Sequence, residues 1–338
     1  MKAIGYTHSL PITDAKSLQD VELPQPVASG HDLLVRIEAI SVNPVDTKVR
    51  QRAEPEAGHY KVLGWDAVGV VEAVGDSVSL FKVGDRVWYA GDLTRQGSNA
   101  EYQLVDERIV GKAPSSLSSA QAAALPLTSI TAWELLFDRL SFDLSQSYQG
   151  SQLLIIGAAG GVGSILVQLA KQVKGLTVIG TASRPESEQW VKALGADYVI
   201  NHRNPIHEEL GKLGINEVSH VISLNQTDQH FDSIVEALKP QGKLALIDDP
   251  AEPLDIMQLK RKSLSLHWEF MYTRSMFTTD DMIEQHRLLN ALADLIDQGV
   301  LKTTIGEHFG SINAENLKRA HAALETNTAI GKIILEGF

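Results

Sequence analysis

The stretch of this sequence that most clearly carries chemistry is Gly157-Ala158-Ala159-Gly160-Gly161-Val162-Gly163. It follows a continuous apolar run, Leu153-Leu154-Ile155-Ile156, and precedes an amphipathic stretch from Ile165 to Val173. In a strand, loop and helix setting, glycines at this spacing permit a tight turn and let a ligand approach the backbone. The helix start then offers amide donors and the positive end of its dipole to a pyrophosphate. The pattern predicts a dinucleotide site on Gly157, Gly160, Gly161, Val162 and Gly163. The alternative is a glycine turn that only packs a helix on a strand.

The end of the next strand decides which dinucleotide fits, because an Asp or Glu about 20 residues past the loop accepts the ribose hydroxyls of NAD. Here the run is Thr177-Val178-Ile179-Gly180-Thr181-Ala182-Ser183-Arg184, with no carboxylate at its end. Thr181, Ser183 and Arg184 are the candidate cofactor contacts at this strand end; Ser183 and Arg184 can donate to a 2′-phosphate, Arg184 with a planar charged fork, which predicts NADPH. In the other reading Arg184 is a solvated loop cation and Glu186 takes the acidic role.

Several chemistries are missing. No Tyr has a Lys four positions on, the pair a short-chain dehydrogenase needs to lower a phenol pKa. Metalloprotease, nucleophile-elbow and P-loop signatures are absent, and the 11 His are scattered. With Cys 0 there is no disulfide, no thiolate nucleophile and no Cys-held metal or cluster. A net charge of −12 argues against nucleic acid as a partner. The first residues lack the apolar centre of a signal peptide, and no run approaches the roughly 20 apolar residues of a membrane span, so the expectation is a cytoplasmic protein without a membrane partner.

The elements that must position these residues read in two styles. Of 338 residues, 43% are hydrophobic and 21% charged, an ordinary globular composition for a chain long enough for two domains. The first 125 or so carry short apolar segments punctuated by Gly, Pro and Asp, including Leu33 to Ala39, Ala67 to Val74 and Arg86 to Tyr89, which predicts a β-rich domain. Helical spacing sets in over Ile130 to Leu140. Short β-like runs then alternate with helices at Leu153 to Ile156, Leu176 to Thr181, Tyr198 to Asn201, His220 to Leu224 and Lys243 to Ile247. That alternation predicts an α/β, doubly wound parallel sheet. Ser263 to Met271 can add a strand and Met282 to Gln298 a helix, before a tail of shorter elements.

The order of these parts, with Ser41-Val42-Asn43-Pro44-Val45-Asp46, Val83-Gly84-Asp85-Arg86-Val87 and Gly331-Lys332-Ile333-Ile334-Leu335, resembles the medium-chain dehydrogenase/reductase superfamily, specifically its zinc-free quinone oxidoreductase branch. The resemblance covers essentially the whole chain. It implies a GroES-like catalytic domain from residues 1–125 and 273–338, a Rossmann domain over 126–272, and an active site in the cleft between them. In the zinc alcohol dehydrogenases of this superfamily a Cys matching Asn43 and a Gly-His-Glu segment hold the metal. This chain has Asn43 and Gly64-Trp65-Asp66 there, and lacks the Cys-rich structural-zinc loop around Asp92 to Asn99. No zinc is expected.

The resemblance also implies site residues. Asn43 orients the nicotinamide ribose or the substrate carbonyl, or is only a turn residue before Pro44. Thr131 lies beside the nicotinamide, or bonds back to its own helix. Lys48 and Tyr60 are candidate proton donors or carbonyl binders; at Lys48 some quinone reductases carry Tyr. His202 falls where relatives place a Tyr against the adenosine 2′-phosphate. Leu224, Asn225 and Phe270 match backbone positions flanking the cofactor, and the Phe270 segment pairs across a dimer axis in relatives, which implies a homodimer. The expected function is zinc-independent, NADPH-dependent hydride transfer to a small quinone or α,β-unsaturated carbonyl. Two other classes stay open: an NADPH-binding sensing or structural module, and an alcohol dehydrogenase with an atypical metal site built from Asp46, Asp66 and a His such as His59.

Overall fold

A computed structural model describes residues 1–338. The chain divides into two compact units, one from Met1–Ile130 with Tyr272–Phe338, the other Thr131–Met271.

The second unit is built on six parallel strands. In chain order they are Gln152–Ile156, Thr177–Thr181, Tyr198–Ile200, Val218–Ser223, Leu238–Leu246 and Ser265–Trp268. Along the sheet they lie third, second, first, fourth, fifth, sixth, the Rossmann order, whose topological switch falls between the first and fourth strands. Leu153 to Ile156 are almost fully buried, as a strand covered on both faces requires. Leu154, Ile179, Val221, Phe231 and Leu244 share one core cluster. The sixth strand is shorter than the Ser263 to Met271 run because its ladder with the fifth ends at Trp268.

The helical spacing after Ile130 is realised in two forms. An α-helix, Pro126–Trp133, runs into a π-helix, Glu134–Arg139. The wider turn lets the Leu140 N–H reach back to the Leu135 carbonyl.

The first unit holds a seven-stranded sheet and a three-stranded one. The long strand Asp32–Val42 is central to the larger sheet. It pairs antiparallel with Ala67–Val74 on one edge and with the C-terminal strand Lys332–Glu336 on the other. The tail also contains a 12-residue helix, Ala314–Glu325, longer than its sequence predicts, because Asn313 caps it by accepting from the Asn316 N–H and Leu317 and Ala320 are fully buried.

Register is what matters for the site. Ile40 pairs with Ala67, and Val42 with Ile333. One further step along each ladder brings Ser41 level with Asp66 and Asn43 level with Lys332, so residues far apart in sequence end at one edge of the sheet.

Candidate active site

At that edge lies a buried polar cluster. Asp66 has no exposed surface, and its Oδ2 accepts from Ser41 Oγ at 2.8 Å, Asn43 Nδ2 at 2.7 Å and Lys332 Nζ at 3.0 Å. Its Oδ1 accepts the Leu127 N–H at 2.7 Å, in the first turn of the helix Pro126–Trp133. Lys332, also buried, donates to the Val42 carbonyl at 3.1 Å and to Asn43 Oδ1. An unpaired carboxylate could not be sheltered from water this way, so the ammonium is a structural requirement of the cluster. Both ends of the Asn43 amide are thereby fixed, and a single Nδ2 hydrogen is left to it.

Asn43 is also the N-cap of the helix Pro44–Arg52, with Pro44 at the first helical position. Asp46 closes the turn by accepting the Asn43 N–H at 2.7 Å. Burial pushes the Asp46 carboxyl up to about 7, against the opposing effects of its backbone hydrogen bonds and of Lys332. It also accepts from the Gly64 backbone. Gly64 sits at φ +114°, and a Cβ there would come within 2.5 Å of Ser98 Oγ and 2.6 Å of Asn99 Oδ1, so no other residue fits. The far end of the helix is pinned as well. Tyr6 OH donates to the Ala53 carbonyl at 2.8 Å, and the fully buried Arg50 donates to Leu10, Glu325 and His321.

In the other unit the glycine loop joins the first strand to the helix Gly161–Ala170, with Gly160 as N-cap. Gly157 has φ +82°, and a Cβ on it would meet Asn225 Oδ1 at 2.6 Å. A Cβ on Gly163 would lie 2.5 Å from the Gly157 and Ala158 carbonyl oxygens. These two glycines are required by the fold itself. Gly160 differs: the nearest atom to a Cβ there is the Gly157 oxygen at 3.5 Å, so nothing in the protein demands glycine. A ligand approaching the backbone would, which is how the residues present fit a dinucleotide pyrophosphate. Thr181 is buried and accepts the Gly157 N–H at 3.1 Å, so it braces the loop.

The structure gathers the remaining expected residues unevenly. Leu224 and Asn225 lie against Gly157. Ser183, Arg184 and His202 are half-buried at the carboxyl ends of the adjacent second and third strands, where Thr181 pairs with Ile200. Arg184 caps the helix Pro185–Ala193, with Glu186 exposed in its first turn. Phe270 is exposed and follows the sixth strand, while Thr131 is buried in its helix. Lys48 is half-buried on the helix that Asn43 caps. Tyr60 is not in the Asn43 cluster; it lines a pocket of about 480 Å³ with Met1, Leu23, Pro24 and Tyr102. Lys332 and Ser41 escaped the sequence reading. The one available signal was a lysine heading the apolar strand Ile333-Ile334-Leu335.

Comparison with known proteins matches residues 29–115 to the alcohol dehydrogenase GroES-like domain and 194–335 to the zinc-binding dehydrogenase family. A zinc-type alcohol dehydrogenase-like protein of Staphylococcus epidermidis is 41% identical over 99% of both chains. The chain belongs to the medium-chain dehydrogenase/reductase superfamily. Among solved structures of this superfamily, a Rhizobium etli CFN 42 protein provisionally described as a zinc-dependent alcohol dehydrogenase shares 54% identity, covers 100% of this chain and 98% of that one, and superposes with TM-score 0.96. Escherichia coli quinone oxidoreductase complexed with NADPH shares 26% identity over the full length of both chains, with TM-score 0.85. The fold is thus a GroES-like domain with a Rossmann domain, the protein is an oxidoreductase, and its nucleotide domain is of the NAD(P)-binding kind.

The zinc in these family names does not fit the donors present. By the resemblance, the residues standing for the metal ligands are Asn43, whose Oδ1 already accepts from the Lys332 ammonium and whose Nδ2 donates to Asp66, Trp65, which is buried with its Nε1 donating to the Asp92 carbonyl, and Asp66, which already carries an ammonium. No group of three His, Cys, Asp or Glu is placed to hold a metal, so Asp46, Asp66 and His59 do not converge as an atypical site.

Two predictions test this geometry. Gly160→Ala is expected to unfold within about 1 kcal/mol of wild type yet lose at least about tenfold in dinucleotide affinity, whereas Gly163→Ala loses stability outright; equal behaviour of the two in urea unfolding and in titration would contradict it. Asp46 is about 7 in the fold against 3.8 unfolded, so its neutral form is favoured in the fold. That stabilisation is complete below pH 3.8 and is lost as pH rises through about 7. From pH 5 to 8, wild type should lose on the order of 2–3 kcal/mol more than Asp46→Asn, measured as urea midpoints.

Proposed function

We propose that this protein is a zinc-independent, NADPH-dependent reductase of quinones or α,β-unsaturated carbonyls. The observation that carries the reading is the buried Lys332–Asp66–Asn43 cluster, whose Asn43 and Asp66 stand, by the resemblance, for the metal-holding segments of the zinc alcohol dehydrogenases. An unactivated alcohol gives up hydride readily only when its oxygen meets a Lewis acid or a general base such as a Lys-assisted Tyr phenol, and neither three metal-binding side chains in one place nor a Tyr with a Lys four positions on is present. With that role unfilled by these donors, the acceptor must already be electrophilic, as a quinone or enone is. Nicotinamide, when bound, supplies the hydride.

The chain's own residues do the rest. Gly157 to Gly163 cradle the pyrophosphate, and Ser183 and Arg184 favour a 2′-phosphate at a strand end that carries no carboxylate. Asn43, held at both ends, keeps one Nδ2 hydrogen for the substrate oxygen, a fixed donor that strengthens as negative charge develops there. Thr131 supports the nicotinamide. Lys48 is the candidate proton source on the helix that Asn43 caps, ahead of Tyr60, which belongs to a separate pocket. The likeness to the quinone oxidoreductase complexed with NADPH supports both acceptor class and cofactor.

The sixth Rossmann strand is a sheet edge, flanked by the exposed Trp268 and Phe270, and supports a homodimer through that edge. Light scattering is expected at twice 36.8 kDa, and a monomer at micromolar concentration would contradict it.

Chelator-treated protein should oxidise NADPH on addition of a para-quinone or a short alkenal, followed by absorbance. Arg184→Ala should reduce the preference for NADPH over NADH by about tenfold or more. Tight NADPH binding without turnover on either acceptor would instead leave a binding module.

A further inference from the structure

His202 leaves the third Rossmann strand beside the second strand's end, the two chains being tied by the Ala182 N–H donating to the Ile200 carbonyl at 3.0 Å. Its ring packs against His230, in the first turns of the helix Thr227–Ala237 that follows the fourth strand. The ring centroids are 5.9 Å apart with planes at 71°. Both imidazoles are half-buried, and His202 Nδ1 is shut from solvent without a hydrogen-bond partner. The pair therefore sits on the carboxyl side of the sheet, where Rossmann folds take their ligand, next to Ser183 and Arg184.

A buried ring nitrogen with nothing to bond is costly, and two imidazoles in contact resist carrying charge together. The charged and titratable groups facing the pair are few. Arg203 in the same loop and His230 both disfavour charge on His202, and Asp228 favours charge on His230. Glu209, from the neighbouring helix, is occupied by the Asn201 N–H, Asn204 and Lys212. Burial is the larger cause for both rings, so each is held below the ordinary imidazole range and is neutral at pH 7 in the free protein. A phosphate arriving beside His202 reverses this balance, because a dianion favours the protonated ring and gives its second N–H a use.

We propose that His202, backed by His230, is a proton-coupled clamp for the 2′-phosphate of the dinucleotide. Binding of the phosphate takes up a proton on His202, one nitrogen donating to the phosphate and the other turned to the His230 ring. The clamp rests on the NADPH reading above and adds a pH dependence that Arg184 alone would not give.

The sign can be worked out. A phosphate with its own second ionisation near pH 6, bound only by Arg, releases protons or exchanges none at pH 7. A clamp through His202 takes them up. Calorimetry of 2′,5′-ADP binding at pH 7, in two buffers of different ionisation enthalpy, is expected to show net uptake of more than about half a proton per site. Binding of 5′-AMP should show none. His202→Gln should abolish the uptake and weaken 2′,5′-ADP severalfold while still binding 5′-AMP, which confirms that the variant is folded. His230→Phe, keeping the packing but not the nitrogen, should lower the uptake. Proton release or no exchange with 2′,5′-ADP in wild type, or uptake unchanged in His202→Gln, would overturn the clamp. If 2′,5′-ADP binds no better than 5′-AMP, the NADPH reading itself fails, and the two failures are distinguishable.

Discussion

Asp66 is a carboxylate with no exposed surface, and the GroES-like unit is arranged around making that tolerable. Four donors reach it: a hydroxyl, an amide, an ammonium and a backbone N–H at a helix start. They come from two strands, the N-cap of one helix and the first turn of another, so the carboxylate ties together segments that the chain brings from its beginning, middle and end. Removing any one donor leaves a buried charge short of a partner, a larger penalty than the net worth of the bond itself. Lys332 carries the greatest weight because it supplies the compensating charge. Through Asn43 Oδ1 the same ammonium fixes the Asn43 amide, so the interaction that stabilises the domain also orients the donor proposed for the substrate oxygen.

This dependence explains which parts of the molecule the sequence reveals. The Rossmann unit is legible because its determinants are local: an apolar run for a strand buried on both faces, glycines at fixed spacing, a helix behind. The third-second-first-fourth strand order follows from short right-handed connections. The Asn43 loop was visible as a turn before proline. Its partners were not, because the pairing of Asn43 with Lys332 is set by a strand register between residues 289 positions apart. No periodicity in either segment encodes that register. A lysine before an apolar strand reads as a solvated end, and here it is buried to 3% exposure. Tyr60 shows the reverse, since proximity in sequence to Asn43 did not bring it to the cluster.

The glycine loop shows how a fold requirement and a ligand requirement can be told apart. Gly157 and Gly163 are excluded from carrying a Cβ by the protein's own backbone and by Asn225, whereas Gly160 has room. The motif is therefore a composite of two glycines that shape the turn and one that the protein's own packing does not require. Thr181 belongs with the first group, as a brace on Gly157.

The central claim is that the Lys332–Asp66 pair holds this site together as a unit, and a double-mutant cycle tests it most directly. Unfolding free energies would be measured in urea for wild type, Lys332→Met, Asp66→Asn and the double variant. The account predicts that each single substitution costs about 3–5 kcal/mol, since each leaves a buried group without its partner, and that the double variant costs far less than their sum. Costs that simply add would show that the two residues do not depend on one another and would contradict the account.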